Sequence, residues 1–130
     1  MIGVIVATHG LMAKEMLNSA AMLVGEGEQM GYVCLLPGQD PDDFLAKCEE
    51  AVTSVDTGDG VVALVDIPGG TPNNTMFRLS KTHNIRIVTG TNLPMVMLAV
   101  LERFDGMTAD ELVETLLSEG QAAVTEFGTR

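Results

Sequence analysis

His9 and Asp66 stand at the ends of two apolar runs, and together they could do chemistry. Residues 1–7 (M-I-G-V-I-V-A) read as a buried strand that runs out through Thr8 onto His9, before Gly10 and a helical pattern. Residues 60–65 (G-V-V-A-L-V) form a second run, ending on Asp66 and then Ile67-Pro68-Gly69-Gly70-Thr71-Pro72. The carboxyl ends of strands are where open α/β sheets build their sites. If these two strands are neighbours, the carboxylate accepts one ring N–H, fixes the tautomer and steadies the ring when it becomes cationic. The other ring nitrogen keeps its lone pair and can attack an electrophile.

The flanking residues indicate which electrophile. Gly10 and Leu11 open one crossover helix, and Gly69, Gly70 and Thr71 lead into another, so backbone N–H groups with little side-chain obstruction converge on the histidine. These five residues are the candidate phosphoryl-binding set, beside His9 and Asp66 as the catalytic pair. Amide donors and a hydroxyl can stabilise a group in flight. Each also has a plainer role: Thr71 as a helix cap, Gly69 and Gly70 as the means of a sharp turn. The sequence has no G-x-x-x-x-G-K-[ST], no acidic pair after the first strand for magnesium, and no Lys or Arg in the strand-end loops. ATP chemistry is excluded on that pattern, and no cofactor or metal is expected. A site without its own cations would take phosphoryl from a protein donor that brings them.

Strand and helix patterns alternate along the chain, as in a parallel sheet covered on both faces. A helix is expected over 11–24, a strand over 31–36, and a helix over 41–55 with Asp40 as cap and Pro41 as first residue. After the 60–65 strand, Thr71-Pro72 signals a helix to about residue 82. A short strand over 85–88 runs into Thr89-Gly90-Thr91-Asn92. Asn92 caps a helix to about residue 104, and Thr108-x-x-Glu111 forms a capping box for a last helix ending near residue 119. The tail 121–127 fits either frayed helix or an edge strand lent to a second subunit. The expectation is therefore a doubly wound, mostly parallel α/β sheet of four strands with helices on both faces, in one domain over 1–130.

With 130 residues and 46% hydrophobic content, the chain can bury one ordinary core. Its net charge of −11, from 18 acidic residues against 7 Lys plus Arg, excludes nucleic acid and anionic membrane as partners, since both demand cationic surface. No apolar run reaches the ~20 residues of a membrane span, and residue 1 leads into a strand instead of a basic leader. The expected location is cytoplasmic, without direct membrane insertion. Cys34 and Cys48 lack C-x-x-C spacing and read as small core residues.

Three segments in order, I-G-V-I-V-A-T-H-G, V-D-I-P-G-G-T-P-N-N and T-G-T-N-L-P-M, resemble the enzyme IIA component of the mannose family of the bacterial sugar phosphotransferase system. The resemblance spans essentially the whole chain. It implies that His9 is phosphorylated at Nε2, with Asp66 on Nδ1 and a hydroxyl at Thr71 on the phosphoryl group. It implies HPr as donor, a IIB component as acceptor, and a homodimer that exchanges a C-terminal strand. Peripheral association through a IIC/IID membrane complex is compatible with it. Because the chain ends at Arg130, the IIB domain fused in some members is expected on a separate polypeptide. Leu11, Met12, Leu93, Pro94 and Met95 are expected to rim the crevice.

Three other readings differ in what they require. The phosphotransfer subunit of a dihydroxyacetone kinase has a similar fold and N-terminal histidine, but D-I-P-G-G-T-P fits the sugar system better. A response-regulator receiver needs an acidic pair after strand one and a Lys after a later strand, where this chain has Thr8-His9 and Thr89-Gly90. A non-catalytic regulatory binding domain would use the same crevice without carrying phosphoryl.

Overall fold

The computed structural model describes residues 1–128; Thr129 and Arg130, the end of the expected domain, lie outside the described residues. Four strands, β1 (Gly3–His9), β2 (Met30–Leu35), β3 (Val61–Val65) and β4 (Ile85–Val88), form a sheet in the order β2-β1-β3-β4, every pair parallel. The connections carry α1 (Met12–Val24), α2 (Pro41–Val55) and α3 (Thr71–Leu79), and α4 (Leu93–Leu101) and α5 (Ala109–Ala122) follow β4. The expected doubly wound α/β sheet is present.

Alternation along the strands builds two core layers. Val4, Val6, Val62, Leu64 and Val88 face α1, α4 and α5, where they meet Ala13, Ala20, Val96, Leu112 and Leu116. Ile5, Ala7, Ala63 and Val65 face α2 and α3, against Phe44, Cys48, Val52 and Met76. All five residues of β3 are buried, as an unbroken apolar run in a central strand requires. Burial pushes the Cys48 thiol up to about 12, so it packs as a small apolar group. Cys34 is half-buried, and both thiols are free.

The capping signals operate as the residue types dictate. Asp40 accepts from the Asp42 amide at 2.8 Å ahead of Pro41, Asn92 accepts from Met95 at 3.1 Å, and Thr108 and Glu111 bond reciprocally at 3.1 and 3.0 Å. Several boundaries differ from the sequence expectation. β1 starts at Gly3 and continues to His9 because Thr8 and His9 still find partners on β2, at Cys34 and Leu35. α4 stops at Leu101 because Arg103 turns inward, donating to the carbonyls of Ala99 at 2.6 Å and Ile2 at 2.7 Å. α5 continues through Gly120, which is no cap: a Cβ there would lie 2.5 Å from Met95 Cε, so the helix uses the missing side chain to pack on α4. Of the ambiguous tail, Gln121 and Ala122 complete α5, and Val124 to Phe127 adopt neither helix nor strand in this chain.

β1 and β3 lie side by side at the centre of the sheet. From β1 the chain crosses to one side, to β2; from β3 it crosses to the other, to β4. Their carboxyl ends therefore flank the point where the winding reverses, which opens a crevice there.

Candidate functional site

His9 is the last residue of β1 and Asp66 the first beyond β3, so the strand order brings them together across the crevice. His9 Nδ1 lies 2.8 Å from Asp66 Oδ2. The His9 backbone amide donates to the same oxygen at 2.9 Å, and the Ile67 amide donates to Oδ1 at 2.9 Å. Burial works against the charge on Asp66, but the bonds from the His9 amide, the His9 ring and the Ile67 amide outweigh it and hold the carboxyl below its ordinary value. An ionised Asp66 can only accept, so the ring proton belongs on Nδ1 and the lone pair on Nε2. The imidazole is 46% exposed, whereas the Asp66 side chain is 10% exposed.

The turn around His9 is fixed from below. Thr8 is fully buried, and its Oγ1 accepts from the Ala13 amide at 2.7 Å, capping α1 from inside the strand. Leu11 occupies the cap position and offers no side-chain bond. Gly10 takes φ +62°, and its amide donates to Leu35 O at 2.8 Å. That bond corrects the sequence expectation, because the Gly10 N–H is spent extending the sheet and is not a free donor.

The second turn approaches the ring directly. Gly70 has an ordinary extended backbone, but a Cβ on it would stand 2.9 Å from His9 Cε1, so its missing side chain is what lets α3 begin against the imidazole. Gly69 has φ +79° and open space around its Cα; its glycine serves the turn. Thr71 is the first residue of α3, not its cap as the Thr-Pro signal suggested; Gly70 holds that position. Its side chain is exposed and makes no hydrogen bond among the described residues, which leaves the hydroxyl available. Asn74 Nδ2 donates to Gly69 O at 3.0 Å and ties the turn to the helix.

A family model described as "PTS system fructose IIA component", the EIIA-man family, matches residues 3–117. The chain belongs to the mannose-type EIIA family. Over 125 residues, 95% of the chain, it is 34% identical to the mannose-specific EIIAB component of Escherichia coli, of which it spans 38% of the length. It is 31% identical over 117 residues to the sorbose-specific EIIA component of Klebsiella pneumoniae, covering 89% of this chain and 84% of that one. The solved mannose/sorbose-specific IIA subunit from Enterococcus faecalis superposes with a TM-score of 0.87 at 30% identity, covering 99% and 96% of the two chains. These matches favour the sugar-system reading over the dihydroxyacetone kinase subunit.

Around the dyad of this EIIA, the apolar rim differs from expectation. Leu11 and Met12 are exposed, as are Leu36 after β2 and Ile67 after β3, neither of which stood out in the sequence. Met95, expected on the rim, is 3% exposed and belongs to the core, because the third residue of α4 faces the sheet. Leu93 is partly buried against the same layer. Among the described residues no three His, Cys, Asp or Glu side chains cluster to hold a metal, and no helix is long and apolar enough to cross a membrane.

Proposed function

We propose that this EIIA carries a phosphoryl group on Nε2 of His9, taking it from phospho-HPr and passing it to a IIB component for sugar uptake. The observation that supports this most is the 2.8 Å contact between His9 Nδ1 and Asp66. It leaves Nε2 as the nucleophilic nitrogen on a half-exposed ring, where a second protein can reach it.

In the first transfer, the Nε2 lone pair attacks phosphorus, the P–N bond to the donor histidine breaks, and its electron pair stays on the donor nitrogen. Positive charge builds on the His9 ring, and Asp66 answers it through the Nδ1–H bond without taking the proton. The second transfer reverses these roles, with His9 as leaving group. The start of α3 and the Thr71 hydroxyl face the negative phosphoryl oxygens, as a helix N-terminus favours. Leu11, Met12, Leu36 and Ile67 suit a carrier complex that forms and separates at each turnover. In the same reading the tail, exposed at Val124 and Phe127, is the segment exchanged in a homodimer, and contact with the membrane is peripheral, through a IIC/IID complex.

Incubation with phosphoenolpyruvate, enzyme I and HPr tests this. Intact mass should show one added phosphoryl group, acid-labile and alkali-stable, and His9→Ala should abolish it. An acid-stable adduct, or one that survives that substitution, would overturn the assignment.

A further inference from the structure

The loop after β4, Thr89-Gly90-Thr91-Asn92, touches neither His9 nor the side chain of Asp66 in any hydrogen bond among the described residues, yet it bonds to the backbone on both sides of Asp66. Gly90 N–H donates to Asp66 O at 3.1 Å. Thr91 donates twice to the preceding carbonyl, Val65 O, from its N–H at 3.1 Å and from Oγ1 at 2.7 Å. We propose that Thr91 is a positioning residue for phosphoryl transfer, whose hydroxyl holds the peptide plane before Asp66 and so aims the carboxylate at His9 Nδ1. This rests on the reading of His9 as phosphoryl acceptor and Asp66 as its orienting partner.

The need for such a clamp follows from the register. The β3 ladder ends at Ala7↔Val65 on the β1 side and at Leu64↔Val88 on the β4 side. Asp66 therefore stands one residue past the β1 ladder and two past the β4 ladder, where a chain usually turns freely. The direction of its side chain is set by the two peptide planes that meet at its Cα. The loop takes hold of both, one through Gly90 and the other through Thr91. Gly90 can reach because it takes φ +71°, which a glycine adopts without strain. Thr91 is half-buried, so its hydroxyl keeps this bond with little competition from water. With Val65 and Asp66 held, Oδ2 meets both the amide and the ring of His9, and the Nδ1–H tautomer is selected. A methyl in place of Oγ1 cannot sit 2.7 Å from a carbonyl oxygen; carbon contacts need roughly 3.3 Å or more. Thr91→Val therefore removes one bond and pushes on the other.

The test combines transfer kinetics with the ring tautomer. Thr91→Val should slow phosphorylation by phospho-HPr about fivefold, the scale of one neutral hydrogen bond. The ¹⁵N spectrum of neutral His9 in the unphosphorylated protein should show a smaller Nδ1–H fraction. Thr91→Ser keeps the hydroxyl and should restore both. Wild-type rate or wild-type tautomer in Thr91→Val overturns the proposal, as does failure of Thr91→Ser to restore them, because the residue would then act on something other than Asp66. If the wild-type protein itself takes no phosphoryl from phospho-HPr, the carrier reading fails, and the tautomer measurement still decides whether Thr91 sets the dyad.

Discussion

The two central strands end in opposite ways. At the end of β1 the proposed phosphoryl acceptor is loosely held: His9 has one side-chain hydrogen bond and nearly half its ring in solvent. At the end of β3 the partner is locked: Asp66 accepts three bonds, sits almost out of solvent, and has its backbone clamped by the β4 loop. A phosphoryl relay needs that division. The nucleophile must be reachable by two different proteins in turn, so it cannot be buried, and its orientation must come from a neighbour that is.

Breaking the locked side should have the largest effect. Both oxygens of Asp66 accept backbone N–H groups, so an amide in its place must turn an NH₂ against a donor whichever way it is flipped. Asp66→Asn should lower stability by about 1–3 kcal/mol. It should also slow phosphoryl transfer by about ten- to a hundredfold, the scale on which a carboxylate behind a working histidine acts. Urea denaturation and the rate of phosphorylation by phospho-HPr measure the two. A variant of unchanged stability that transfers at the wild-type rate would mean that the locked side is not what orients the ring.

Disturbing the free side separates position from fold. Gly70→Ala places a methyl 2.9 Å from His9 Cε1, and the exposed ring is the part that can yield. Transfer should slow by about tenfold, equivalent to about 1.4 kcal/mol in the barrier, while stability falls by less than about 1 kcal/mol. Gly69→Ala should do the reverse. Its φ of +79° penalises any side chain although nothing stands in the way, so stability should fall by about 1–2 kcal/mol and transfer per folded molecule by less than Gly70→Ala causes. Equal profiles for the two variants would deny that these adjacent glycines serve different ends.

The pairing of His9 with Asp66 was legible in the sequence because it needs only that two apolar runs end on the right residue types and lie adjacent. Apolar periodicity marked both runs; their adjacency was a condition of the reading, and the strand order meets it. What stayed hidden depends on backbone bonds whose partners are distant in the chain. The Gly10 amide looked free beside its helix, yet Leu35 O claims it. Thr8 carried no role in the sequence reading, yet its buried hydroxyl caps α1. Thr91 lay within a segment that carried the family resemblance, and nothing in its local pattern points to Val65 O. Thr71 was misplaced by one position because Gly70, a residue without a capping side chain, takes the cap when the helix starts against a ring. The last helix was expected to end near residue 119, yet it runs on through Gly120, whose missing side chain makes room for Met95 on another element.

The smallest expected effect concerns acid, and it asks whether the contrast between the two strand ends is electrostatic or only geometric. Folding favours the ionised form of Asp66, since its carboxyl is held below the ordinary range by the bonds it accepts. The resulting stabilisation is present in full above the unfolded-state pKa of about 3.9 and is lost as pH falls through the lower folded value. Asp66→Asn has no such group to titrate. The difference in denaturation midpoint between wild type and Asp66→Asn should therefore narrow below about pH 4. A gap that persists unchanged to the limit of acid unfolding would mean that the carboxylate is held by shape alone. Its charge would then add nothing to the fold, and the answering of ring charge during transfer would be its whole use.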